Sequence, residues 1–364
     1  MKTSISFLTV CLSVILLLNT AQAQKSSFLI LGDIHYDLIE NHDMEWLATK
    51  PDDLRQVTQG YTRYTQENWI DFCKILKRQC DQLKPQVKAV IQLGDISEGL
   101  AGNPEKAIQM AKSTMEAVEK TDIDIPWIIA KGNHDITGPG AVEAFNDIYI
   151  PAFRKFTNNP DIKTANYGTT IDNVFFACLD PWEKRENSLD ILEKNLSGSK
   201  AKYKFVVLHE PVIPVNERCW HVYRKKPDDR NRLLKIIAEN RAIVLCAHLH
   251  CYAVVKRNTE WGPIVQILAN SVIRDQKHLT PKKVHTEYGS VLAKEKPDWQ
   301  PNTLEDRIKW LDEETPYVSF FKQMDLPGYG VLTIDPQKDS IILQYYAAFA
   351  NKPYDTIDIS SLLK

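Results

Sequence analysis

The sequence predicts an α/β fold, with a sheet covered by helices on both faces and a site at the carboxyl ends of the strands. Three observations carry that prediction. Short apolar runs alternate with amphipathic helical patterns along most of the chain. Several runs stop abruptly at carboxylates, imidazoles or an amide, and open α/β sheets place ligands at the carboxyl ends of strands. The composition, 43% hydrophobic and 25% charged over 364 residues, supplies a sizeable core. A formal net charge of -2 gives no indication of a nucleic-acid or acidic-membrane partner. It leaves the oligomeric state open.

Residues 1–23 stand apart. Lys2 precedes an apolar run too short to span a bilayer, and Ala21-Gln22-Ala23 is a small-x-small end. This reads as a cleaved signal peptide, so the mature chain is expected to be exported, to a periplasmic or extracellular location. Six cysteines then remain: Cys73, Cys80, Cys178, Cys219, Cys246 and Cys251. Cys73 and Cys80 would lie two helical turns, about 10.5 Å, apart along one helix, too far for a disulfide. Buried free thiols are expected.

Residues 24–364 read as one domain. The first strand, 27–31, ends in Gly32-Asp33-Ile34-His35. Helical spacing follows over 61–83, with Trp69, Phe72, Cys73, Leu76, Cys80 and Leu83 on one face, stopped by Pro85. A second strand, 88–93, is halted by Gly94-Asp95. Asn103 and Pro104 suit the cap and first turn of a helix to 120. The strand opened by Pro126 runs into Gly132-Asn133-His134-Asp135, a stretch that taken alone could be an ordinary turn. A helix at 141–156, a strand pair at 167–179 and a helix at 189–196 follow. Next come a strand at 203–208 ending in His209, a helix at 230–239, and a strand at 242–246 leading to His248-Leu249-His250. Strands at 252–256 and 264–269 and a hairpin at 329–348 complete the pattern, with 336–339 as its turn. Residues 271–328 are the least regular part, either a lid or a surface insertion, the latter favoured.

Nine histidines occur in the chain, and five of them fall at strand ends. Histidine is not a preferred turn former, so turn chemistry does not explain the concentration. Carboxylate, imidazole and amide oxygen without thiolate suit Mn, Fe, Zn or Co rather than a soft-metal centre. Two Asp, one Asn and four His supply enough contacts for two divalent ions if one carboxylate bridges.

In order and approximate spacing, Asp33-Ile34-His35, Gly94-Asp95, Gly132-Asn133-His134-Asp135, His209 and His248-Leu249-His250 resemble the blocks of the calcineurin-like metallophosphoesterases. The resemblance covers about 28–273 plus the closing hairpin. It implies layered β-sheets flanked by helices, two divalent metal ions and hydrolysis of a phosphate-ester substrate by a bridging hydroxide, diesters slightly favoured over monoesters. It implies that Asp33, His35 and His250 hold one metal, that Asn133, His209 and His248 hold the other, and that Asp95 bridges. His134 is expected to act at the leaving group, with Asp135 orienting it. Leu208 and Ala247 replace two customary glycines. Glu98 stands where purple acid phosphatases carry a metal-binding tyrosine, which points away from that branch. Arg218, Trp220 and Arg224, between the last two blocks, are expected to grip the substrate. A catalytically silent binding protein on the same fold is the competing class, and it should have lost some of these residues.

Overall fold

Among the residues described by the computed structural model, 24–364, fourteen strands form two sheets. The signal peptide expected over 1–23 lies outside the described residues. The strands are β1 (Ser26–Leu31), β2 (Val87–Gln92), β3 (Trp127–Ile129), β4 (Tyr167–Ile171), β5 (Val174–Cys178), β6 (Tyr203–Val207) and β7 (Ile243–Cys246). They continue with β8 (Tyr252–Thr259), β9 (Gly262–Leu268), β10 (Val284–His285), β11 (Val318–Met324), β12 (Gly328–Asp335), β13 (Ser340–Ala347) and β14 (Asp355–Asp358). One sheet has the order β14-β13-β12-β1-β2-β3, and the other β10-β11-β8-β9-β7-β6-β5-β4. Each has a parallel centre, β1-β2-β3 in the first and β5-β6-β7-β9 in the second, extended by antiparallel strands.

Strand–helix alternation alone suggested one sheet with helices on both faces. The molecule instead layers two sheets, as the family resemblance implied. Side-chain alternation shows how. Phe176, Phe205, Val207, Leu245 and Ile267 face a core shared with Phe28, Leu332 and Leu343 of the first sheet. Their neighbours Ala177, Val206, Val244 and Leu268 face the helices Ser188–Gly198 and Pro227–Glu239. Phe28 meets Phe176 edge to face at 5.1 Å across the layers, and Phe176 stacks on Phe205 at 5.3 Å. Truncating a fully buried Phe at such a position costs about 3–5 kcal/mol.

The helix Thr62–Gln82 buries Phe72 and Leu76, one turn apart, against this core and ends before Pro85. A π-helical turn, Val57–Tyr61, precedes it and swings Tyr61 towards the polar edge. The Pro104–Glu119 helix is capped by the Asn103 side chain, which accepts from the Lys106 N–H at 2.9 Å. Residues 271–328 contribute β10 and β11, which extend the second sheet beyond β8. Thr303 caps a helix, Leu304–Glu314, within this stretch. The hairpin β12–β13 joins the first sheet beside β1. The short edge strand β14 was not foreseen, because Asp355-Thr356-Ile357-Asp358 carries one apolar residue and no readable alternation. The six described cysteines are free. No helix among the described residues is long and apolar enough to cross a membrane.

Candidate metal centre

Five loops meet where the carboxyl ends of both sheets converge. Asp33 and His35 follow β1, Asp95 follows β2, and Asn133 and His134 follow β3. His209 follows β6, while His248 and His250 lie between β7 and β8. The loops are tied by backbone bonds, with Ile34 and His35 both donating to the Asp95 carbonyl at 3.1 and 2.9 Å. Gly132 has no room for a side chain, since a Cβ there would lie 2.0 Å from the Asp95 nitrogen. Gly94, at φ +93°, would drive a Cβ to 2.7 Å from His209 Nδ1. His35, Asp95, His248 and His250 all adopt left-handed backbone, at φ 48°, 51°, 70° and 52°. Each such residue costs on the order of 1–2 kcal/mol, and strain of this kind collects where side chains must be aimed rather than packed.

The donors fall into overlapping groups. Single ligand atoms of Asp33, His35 and His250 lie within 4.8 Å of one another, as do those of Asp95, His209 and His248. A third group joins His35, Asp95 and His134. His35 Nε2 faces His250 Nε2 at 3.1 Å, and His248 Nδ1 faces His209 Nε2 at 3.1 Å. Asp33 Oδ2, Asn133 Oδ1 and His248 Nε2 are buried with no hydrogen-bond partner. Buried polar atoms are rarely left so, and three on one cluster of hard and borderline donors are what cations would satisfy. The residues fit a dinuclear site.

The supporting contacts aim the rings. Glu98 accepts from His35 Nδ1 at 2.7 Å, and the Leu93 carbonyl from His209 Nδ1 at 2.9 Å, which leaves each Nε2 turned inward. Burial alone would depress the basicity of His209, but the Asp95 carboxylate 2.9 Å away raises its pKa to about 9. Burial opposes ionisation of Asp95, yet the surrounding imidazoles, His209 first, hold its carboxyl well below the usual range. His248 and His250 are pushed well below the usual imidazole range by burial, and so is His35 to a lesser degree. Burial pushes the Glu98 carboxyl up to about 8.

His134 stands at the rim. Its Nδ1 donates to the Glu98 carbonyl at 2.7 Å, so Nε2 is the ring's free nitrogen. The expectation that Asp135 orients this ring is not met. The Asp135 carboxylate accepts from the backbone of Gly132, Asp95 and Ser97 at 2.8, 3.1 and 3.0 Å, and from the Ser97 hydroxyl. It points back into the loops because buried N–H groups there need an acceptor, and it braces the turn instead. Glu98 takes over the orienting task, itself held by Gln56 Nε2 at 2.6 Å. Tyr61 stacks on His35 at 4.1 Å. Gln56 and Tyr61 were invisible as site residues in the sequence; the widened turn Val57–Tyr61 that places them lies before and at the start of the helical run read over 61–83.

A cleft of about 930 Å³ opens over the centre, lined by Asp95, Asn133, His134, His248 and His250. Arg218 lines it and donates to the His248 carbonyl at 3.2 Å. Trp220 and Arg224 do not line it. Trp220 Nε1 is committed to Glu210, the Arg224 guanidinium lies 3.6 Å from the Trp220 ring centre, and that ring packs 5.5 Å from the His248 ring. The far wall comes from residues 271–328, including Arg274, Lys277, Lys282, Lys296 and Trp299.

Comparison with known proteins agrees with this architecture. No curated protein sequence matches the chain. Solved structures do, at low identity. A purple acid phosphatase from yellow lupin (Lupinus luteus) seeds shares 13% identity at a TM-score of 0.54, covering 93% of this chain and 54% of its own. The chain thus spans about half the length of that enzyme. A dimetal phosphatase from Danio rerio (13% identity, TM-score 0.51) covers 92% of this chain and 98% of its own. GAP50, an anchor in the inner membrane complex of Plasmodium (15%, TM-score 0.51), covers 92% and 88%. Resemblance this distant shows the fold alone. The sequence model for calcineurin-like phosphoesterases matches residues 26–252, and the chain belongs to that family.

Proposed function

We propose that this protein is an exported dinuclear-metal hydrolase of phosphate esters, with diesters preferred to monoesters. The observation that carries the reading is the set of overlapping donor groups, Asp33/His35/His250 and Asp95/His209/His248 among them, with three buried ligand-type atoms left unpartnered. Asp33, His35 and His250 would hold one divalent ion, Asn133, His209 and His248 the other, and Asp95 would contact both. Mn, Fe, Zn or Co suits this donor set. Such ions, when bound, supply charge that activates water and neutralises phosphate oxygens.

The chain's own groups do the rest. Water adds to phosphorus and sheds a proton, the bond from phosphorus to the ester oxygen breaks, and that oxygen takes the Nε2 proton of a doubly protonated His134 ring, which the proton shed by water restores. The Glu98 carbonyl holds His134 Nδ1–H, which fixes the direction of that donation. Arg218 faces the cleft beside His248 and can pair with a phosphate oxygen in a charge-assisted bond. A silent scaffold would have no use for strained, inward-aimed imidazoles, although one structural neighbour is described as an anchor. Export rests on residues 1–23, and the expected mature N-terminus is Gln24.

The test is elemental analysis of the purified protein, with parallel assays on p-nitrophenyl phosphate and bis(p-nitrophenyl) phosphate. The expected result is two metal equivalents per chain and hydrolysis of both, faster on the diester. No bound metal, and no activity after adding Mn²⁺ or Zn²⁺, would overturn the reading.

A further inference from the structure

A second, smaller cleft of about 370 Å³ opens beside the first, walled by Trp46, Lys50, Asp53, Leu100 and the Thr137-Gly138 turn. The two clefts share Gln56, Asn133 and His134. The small one reaches the centre only through Asn133 and His134, whereas the large one also lies against Asp95, His248 and His250. A phosphorus atom at the centre therefore has two separate chambers available to its ester substituents. A monoester can use one of them. A diester uses both.

Their linings differ. In the small cleft Trp46 lines the wall, with Lys50 Nζ over its ring, 4.9 Å from the centre. No carboxylate of the described residues pairs with Lys50 at ion-pair distance. Six Lys and Arg side chains line the large cleft against five Asp and Glu. Lys283 and Lys296 are paired with Glu295 and Glu217 at 2.6 and 2.5 Å. Arg218, Arg274, Lys277 and Lys282 have no such carboxylate partner among the described residues. Asp275 and Asp325, on the same wall, accept from backbone N–H groups of Lys277, Lys282 and Lys283.

We infer that the substrate is a phosphodiester divided between the two clefts: an alcohol with a flat ring face departs from the Trp46 cleft, and the retained half, carrying further negative charge, lies along the Arg274–Lys282 wall. This rests on the hydrolase reading above and adds the substrate class. His134 decides which half leaves. His134 lines both clefts, and with the departing alcohol in the small one, water and diester give an alcohol from that side and a phosphomonoester in the large cleft. The retained half gains from the unpaired cations, whose attraction is screened by salt.

The test uses metal-loaded protein and three nucleotide esters: thymidine 5′-(p-nitrophenyl phosphate), the same compound bearing a 3′-phosphate, and thymidine 5′-(methyl phosphate). Wild type is expected to favour the 3′-phosphorylated ester at least fivefold in kcat/KM at low salt. Arg274→Ala with Lys282→Ala should bring that ratio to within twofold of unity. Lys50→Ala and Trp46→Ala should raise KM for the p-nitrophenyl ester at least fivefold more than for the methyl ester. Lys50 is exposed, so its variant separates a binding effect from any loss of packing at Trp46. A wild-type ratio near one, or a preference that survives the double variant, overturns the anionic half of the proposal. Equal KM changes for methyl and p-nitrophenyl leaving groups overturn the small-cleft half. Metal-loaded wild type that hydrolyses none of the three, nor either simple aryl ester, shows instead that the hydrolase reading has failed.

Discussion

Replacing His134 by alanine separates two arrangements that the donor geometry permits. The ring lies within reach of His35 and Asp95, so it could complete a metal site, or it could stand outside as a proton donor. Its surroundings favour the second. Nδ1 is used on the Glu98 carbonyl at 2.7 Å, and the ring meets His35 edge to face at 4.7 Å. The contact with Asp95 runs through the backbone, His134 N–H to Asp95 Oδ1 at 2.8 Å, and alanine keeps it. His134→Ala should therefore retain both metal equivalents. Loss of a general acid costs roughly 10²–10⁴-fold in rate, or about 2.7–5.4 kcal/mol of transition-state stabilisation. The loss should sit near the lower end for p-nitrophenyl esters, whose leaving group departs readily as an anion, and near the upper end for alkyl esters. Elemental analysis and steady-state kinetics on the two ester classes read both quantities. A variant that loses one metal equivalent, or the same factor on aryl and alkyl esters, would refute the assignment of His134 as donor.

Other perturbations test the supporting structure. Asp95→Asn removes a carboxylate that belongs to two of the three donor groups and lies 2.9 Å from His209 Nε2, so metal content and activity should fall together, the latter by more than about 10³-fold; elemental analysis with kinetics checks it. Arg307 is fully buried and donates to the carbonyls of Glu217, Ala293, Lys296, Pro297 and Thr303, pinning the Arg218 loop to the far wall of the cleft. Arg307→Met should cost about 3–5 kcal/mol, because several buried carbonyls lose their donor. Denaturant unfolding measures it, and a change under 1 kcal/mol would contradict this role. Burial pushes His221 down to about 3 in the folded chain, from an ordinary value of 6.5. Below pH 6.5 the unfolded chain then takes up a proton that the folded one does not, so this contribution to stability is lost progressively as pH falls from 6.5 towards 3. His221→Gln should flatten the stability profile there by up to ~1.4 kcal/mol per pH unit. Unchanged slopes in paired pH-dependent unfolding curves would rule this out.

The strand-end residues were legible because local rules govern them. An apolar run sets a strand, and the residue two to four places beyond it must leave the sheet at its carboxyl edge. Asp33, Asp95, Asn133, His209 and His248 could be read in that way, and so could the cap at Asn103. Glu98 was noticed only as a missing tyrosine. Its task, holding His35 by its carboxylate and His134 by its carbonyl, depends on two other loops whose approach no spacing encodes. The same holds for Gln56 and Trp46, which precede the helical run read over 61–83, and for Tyr61 at its start.

By itself, then, the sequence determined which side chains emerge at strand ends and that their donor types suit two hard or borderline cations. Tertiary structure decided that those strands belong to two layered sheets, that Asp135 braces backbone rather than a ring, and that Trp220 and Arg224 pack on each other outside the lining of the cleft. It also turned residues 271–328 into a wall of the cleft. The physical reason is range. Periodicity and turn chemistry act over a few residues, whereas the pairing of β11 with β8, and of β12 with β1, brings together segments far apart in the chain through burial that any well-matched apolar face can satisfy.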